Sequence, residues 1–116
     1  MDLYKAVKIL LLLLVLDTIW IQFFLLKPFS NMIQDVQGSQ MTVSPFKLIL
    51  AYIVLYLLIL FTIEKVKTPQ EAFILGMLVY GVYDSTNYAT LKNWNLGVAI
   101  KDTLWGGVLF STIKYI

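Results

Sequence analysis

The sequence predicts an all-α integral membrane protein, a four-helix bundle whose antiparallel neighbours are joined by short connections. Three observations predict it. Only 14% of the 116 residues are charged and 59% are hydrophobic, where a soluble domain carries about 25% charged residues. Mean hydropathy is +0.80. The apolar residues fall into four stretches, about 5–26, 46–63, 71–91 and 96–115, each near the ~20 residues a helix needs to cross a bilayer. The links between them are short, so the expectation is a single transmembrane domain over residues 1–116.

The first stretch holds the block ILLLLLVL at residues 9–16, then Asp17, then TIWIQFFLL. A secretory signal would also put lysines such as Lys5 and Lys8 ahead of an apolar run. Here the run continues past Asp17 through bulky residues, with no small-x-small cleavage signal. Residues 27–45 are the longest polar segment, bracketed by Pro28 and Pro45. The segment reads as an ordinary loop; Phe29, Met32, Ile33 and Val36 allow a short interfacial helix as the alternative. The second stretch is almost purely apolar, with Tyr52 and Tyr56 one turn apart. The third opens on Thr68-Pro69-Gln70-Glu71, a helix start with Thr68 as N-cap, proline in the first turn and Glu71 closing a capping box. Its second half turns polar: YGVYDSTNYATL. KNWN then leads into the fourth stretch, a link that fits only antiparallel neighbours.

Composition narrows the chemistry. The net charge is +2, all nine basic residues are lysine, and there is no arginine. The bidentate fork favoured for phosphate and nucleic-acid recognition is missing, and no nucleic-acid partner is expected. With no Cys and no His, disulfides, thiol nucleophiles, thiolate metal sites and imidazole chemistry are excluded. No cofactor and no metal centre is expected; three aspartates alone would need further oxygen ligands to hold a hard cation. The expected partner is the lipid bilayer. A continuous pore through so small a chain would need a homo-oligomer.

Lysines near helix ends set orientation. With the N-terminus inside, Lys5, Lys8, Lys65, Lys67 and Lys114 face inward, and Lys27, Lys47, Lys92 and Lys101 face outward. The small excess puts both termini in the cytoplasm.

The informative residues are the aspartates inside the apolar stretches. On insertion scales an aspartate at a helix centre costs about 2.5–3.5 kcal/mol. Asp17, Asp84 and Asp102 would be prohibitive together if they faced lipid. Asp17 lies about twelve residues into its stretch, ~18 Å along a helix. Asp84 lies about as far into the third, which runs the same way. Asp102 comes early in the fourth, which runs back. All three share the half of the membrane facing residues 27–45, and the physical solution is to face one another. Burial disfavours charge, so two neighbouring carboxyls share a proton more easily than both ionise.

Polar partners recur at helical spacing. DTIW at 17–20 and DTLW at 102–105 each place a tryptophan one turn after an aspartate. The indole N–H is a donor only and can donate to a carboxylate across the bundle. Asp84 has Tyr80 four residues before it, Asn87 three after it, and Tyr83 on its flank. The candidate binding residues are therefore Asp17, Trp20, Tyr80, Tyr83, Asp84, Asn87, Asp102 and Trp105. Gly76, Gly81, Gly106 and Gly107 permit close helix approach. The plain alternative is that these groups are interhelical glue. Trp94 and Tyr88 read as interface anchors, Tyr52 and Tyr56 as packing, with contact to the acidic cluster as their alternative, and Lys101 as snorkelling to the surface.

At YDSTNYATLKNW, residues 83–94, taken with DTIW and with DTLWG at 102–106, the chain resembles a family of small four-span membrane proteins known as DUF-2177. The shared pattern is L-D-x-x-W, then Y-D-x-T-N-x-A-x-L-x-x-W, then D-x-x-W-G. It is met at Leu16, Asp17 and Trp20; at Tyr83, Asp84, Thr86, Asn87, Ala89, Leu91 and Trp94; and at Asp102, Trp105 and Gly106. The resemblance implies an integral membrane protein and supplies no activity. Three functional readings stay open. One is a polar site that binds or translocates a proton, a cation or a small polar solute. Another is a lipid-modifying enzyme with Asp84 or Asp102 as general acid or base, although no nucleophile–base pair is visible. The third is an accessory or structural membrane subunit.

Overall fold

The computed structural model describes residues 1–116 and is all-helical. Helix α1 (Leu3–Trp20) passes through a π-helical turn (Ile21–Leu25) into α2 (Leu26–Gln37) without a break, making one rod of 35 residues. Then follow α3 (Pro45–Thr62), α4 (Pro69–Thr90) and α5 (Leu96–Tyr115).

Local chemistry sets the boundaries. Asp2, Ser44, Thr68 and Asn95 each accept a hydrogen bond from a backbone N–H three residues on, satisfying donors that a helix start leaves free. Proline stands in the first turn of α3 and α4, where its missing N–H costs nothing. Gly38, at φ 73°, ends α2 in the left-handed conformation.

The expected loop over residues 27–45 is corrected: α2 carries the chain on as helix to Gln37. The π-helical turn just upstream accommodates Pro28. Proline would clash with the carbonyl four residues back and lacks the N–H to bond it. The chain widens there instead, with the Leu26 N–H bonding the Ile21 carbonyl five residues back. The apolar face of α2 then has something to cover. Met32 is buried with Trp94, Val98 and Ala99, and Phe29, Ile33 and Val36 pack around them. Asn93 Nδ2 donates to the Asp35 carbonyl at 3.0 Å. Trp94 is therefore a core residue under α2, not an interface anchor.

The main core joins all four rods through Ile9 and Leu13, Ile59 and Ile63, Ala72, and Leu109, Phe110 and Ile113. Only 18 of 116 residues are buried, while large apolar side chains such as Phe23, Phe46, Phe61 and Val82 lie exposed. Such a surface suits hydrocarbon rather than water. Leu3–Gln37, Pro45–Thr62 and Leu96–Tyr115 are long and apolar enough to cross a membrane. Helix α4 has the length, 22 residues, but its polar half (residues 83–90) keeps it below the others in apolarity.

Helices α4 and α5 form the tightest pair. A Cβ on Gly76 would overlap the Gly106 carbonyl and come within 2.7 Å of the Phe110 ring. One on Gly107 would lie 2.8 Å from the Phe73 ring. Gly81 is looser, 3.4 Å from the Thr103 methyl. Helix α3 approaches α1 and stands off α4. Both chain ends meet at one end of the bundle. Lys5 pairs with Glu64 at 3.5 Å, and Lys8 Nζ donates to the Ile116 carbonyl at 2.8 Å.

Candidate functional site

Asp17, Asp84 and Asp102 are all buried, at 7%, 1% and 7% exposure. Asp102 neighbours Asp84 and lies within electrostatic reach of Asp17, and the Tyr80 ring sits among all three. The expected convergence of acids from three helices is therefore present.

The three carboxyls differ in how they are satisfied. Asp17 is closed. Its Oδ1 accepts from Trp105 Nε1 at 3.0 Å, and its Oδ2 accepts from the Tyr52 hydroxyl. Asp84 is open: neither carboxyl oxygen, though fully buried, has a hydrogen-bond partner. Asp102 lies close enough to share a proton with it, and the Thr103 hydroxyl lies nearby without normal hydrogen-bond geometry. An unpaired buried polar group costs about 1–3 kcal/mol, so it needs an explanation.

The two D-T-x-W motifs have a common geometry. Helices α1 and α5 are antiparallel, so one turn after the aspartate points opposite ways on each. Trp105 thus reaches Asp17, and Trp20 lies beside Asp102. Each tryptophan serves the other motif's acid. The two indoles stack with centroids 5.1 Å apart and planes 4° from parallel. The exchange is complete on the Asp17 side only, because Trp20 Nε1 is buried without a partner in normal geometry.

Gly106 lets Tyr80 into this cluster. A Cβ there would stand 2.5 Å from the Tyr80 ring. Tyr83 lies within electrostatic reach of Asp84 and Asp102 and packs edge-on against Trp94, with centroids 6.1 Å apart. Asn87 lies beside Tyr83. Two residues outside the sequence-derived set belong to the cluster. Tyr52 meets the alternative rather than the packing expectation and donates to Asp17, while Tyr56 donates to the Ala6 carbonyl at 2.6 Å. The signal was there: hydroxyls in an otherwise aliphatic span need acceptors. Thr103 was marked by nothing but its place after Asp102.

Two hollows flank the Asp84–Asp102 pair. A groove of about 380 Å³ between α4 and α5 is lined by Gly81, Asp84, Ser85 and Thr103 among apolar side chains. A cleft of about 570 Å³ between α3 and α4 is lined by Ala51, Val54, Leu55, Leu58, Val79, Tyr80, Tyr83 and Asp102. Asp17 lines neither. No group of three or more acids is arranged to hold a metal ion.

The family model described as "Predicted membrane protein (DUF2177)" matches residues 3–116. The chain belongs to that family. The match runs over all of the helices, so the D-T-x-W exchange and the buried carboxyl pair both lie inside the family region. As a predicted membrane protein family, it makes the bilayer this chain's surroundings. Neither a curated protein nor a solved structure matches the chain.

Proposed function

We propose that the protein is an intramembrane binding protein whose Asp84–Asp102 pair takes up a proton, a cation or a small polar group. One observation carries the reading: Asp84 is 1% exposed, no N–H or hydroxyl donates to either of its oxygens in normal geometry, and a second carboxyl lies beside it. An ionisable residue within a membrane bundle is a functional candidate by default. Asp17 has a different task in this reading. Its two donors come from α3 and α5, so it ties three helices together and holds α5, with Asp102, in register. Tyr80 and Tyr83 line the approach, and the Trp20–Trp105 stack closes the site towards α1.

Infrared spectroscopy of the protein in lipid nanodiscs tests this. Two carboxyls acting as one centre share a single protonated C=O band that changes with pH. Asp84→Asn and Asp102→Asn should each abolish that shared band, leaving at most a band at a shifted frequency from the remaining acid, and Asp17→Asn should leave it unchanged. If it survives both pair substitutions, the Asp84–Asp102 pair is not a binding centre.

A further inference from the structure

The α3–α4 cleft points to what the carboxyl pair receives. At about 570 Å³ it falls within the roughly 300–1,000 Å³ of small-molecule sites. Its polarity is graded along the membrane normal. Ala51 and Asp102 each lie six positions into their helices, counted from Pro45 and Leu96, about 9 Å below the bundle end capped by α2. Leu58 lies thirteen positions into α3, about 20 Å down. The carboxyl is thus at the shallow end and the aliphatic wall at the deep end. An amphiphile in that leaflet has the same order, head outward and chain inward. The cleft also opens on the outer surface of the bundle, where Val54 and Tyr83 of its own wall are exposed. A ligand reaching it through that opening comes from the bilayer.

Charge selects the head. No lysine lines the cleft, and the nearest acids are Asp102 and, behind it, the partnerless Asp84. An ammonium offers three donors and one positive charge; a hydroxyl offers one donor and no charge. An anionic head would meet two carboxyls. We infer that the cleft between α3 and α4 is a lateral binding site for a single-chain amphiphile with a primary ammonium head, which docks at Asp102 with its chain against α3. This rests on the carboxyl-pair reading and adds to it the ligand class and its route.

The test is photolabelling in phosphatidylcholine vesicles, with a long-chain primary amine carrying a diazirine in its chain. Labelled peptides are mapped by mass spectrometry. Label should concentrate on the α3 stretch from Ala51 to Leu58. Unlabelled dodecylamine should lower it about tenfold, while dodecanol or ethylamine at the same concentration should not. Ala51→Phe, at an exposed position facing the cleft, should also lower it about tenfold. Ile100→Phe, at a residue lining the α4–α5 groove instead, should leave it unchanged. Labelling spread over the exposed helix faces and indifferent to Ala51→Phe would overturn the inference. So would equal competition by dodecanol, which removes the ammonium. Equal competition by ethylamine would overturn the lateral route yet leave the carboxyl pair standing. Survival of the shared infrared band in both Asp84→Asn and Asp102→Asn would remove the underlying reading.

Discussion

At the scale of single residues, three aspartates that look alike in sequence have different fates. Asp17 holds two donors, Asp84 holds none, and Asp102 lies beside Asp84. Stability should separate the first two. Asp17→Ala leaves the Tyr52 hydroxyl and the Trp105 N–H without an acceptor, a loss of about 1–3 kcal/mol. Asp84→Leu strands no tyrosine or indole donor, so it should leave stability unchanged or raise it by about 1 kcal/mol. Reversible unfolding in mixed micelles measures both. A large loss in Asp84→Leu would mean that Asp84 is structural glue and would count against the proposed site. The placement of these acids inside the bundle was legible in sequence, because hydrocarbon tolerates a lone carboxylate poorly. Which acid would be satisfied was not legible. That depends on Tyr52 arriving from α3, and tertiary packing alone decides which way a tyrosine in an aliphatic helix turns. Trp94 was misread for a similar reason. Nothing in KNWN announces that α2 will fold over it.

Among the helices, legibility followed chemistry that acts within a few residues. Helices α3, α4 and α5 begin within two residues of their expected starts, because Ser44-Pro45, Thr68-Pro69 and Asn95 are local caps. Helix α2 was partly legible: Phe29, Met32, Ile33 and Val36 allowed a short helix as the alternative to a loop, and they are the residues that pack, but a π-helical turn that absorbs Pro28 and joins α2 to α1 has no simple sequence pattern. The α4–α5 contact was half legible. Four glycines suggested close approach, but not which of them touch. The geometry now ranks them. Gly106→Ala puts a methyl 2.5 Å from both the Gly76 carbonyl and the Tyr80 ring, an overpacking that typically costs about 1–3 kcal/mol. Gly76→Ala meets the same backbone from the other side. Gly81→Ala sits at an ordinary 3.4 Å from Thr103 and should change stability little. Gly106→Ala should also displace Tyr80 from among the carboxyls, so it should perturb the shared infrared band where Gly81→Ala does not. If all three alanines behave alike, the backbone contact between α4 and α5 is not as close as described.

Over the whole molecule, the longest dimension is 45 Å, close to the roughly 40–45 Å of a bilayer with its headgroups. Met1, Lys5, Glu64 and Ile116 gather at one end, and Asp35 and Asn93 meet at the other. Such an arrangement suits four crossings, including α4, which is the least apolar rod because it carries Asp84 and its polar neighbours. Burial against α5 shelters the Asp84 carboxyl, so α4 can cross without being apolar all round. The chain has no cysteine, so single-cysteine variants report on one position each. With the small lysine excess setting direction, an impermeant maleimide added to intact cells should label Gln40→Cys and Lys92→Cys. Lys67→Cys and Tyr115→Cys should react only after permeabilisation. The pair at positions 67 and 92 decides whether α4 crosses: if they label from the same side, it does not, and the carboxyl pair lies outside the hydrocarbon. A wholly inverted pattern would keep four crossings and reverse only the orientation. The ammonium-binding cleft would then open to the cytoplasmic leaflet instead of the outer one.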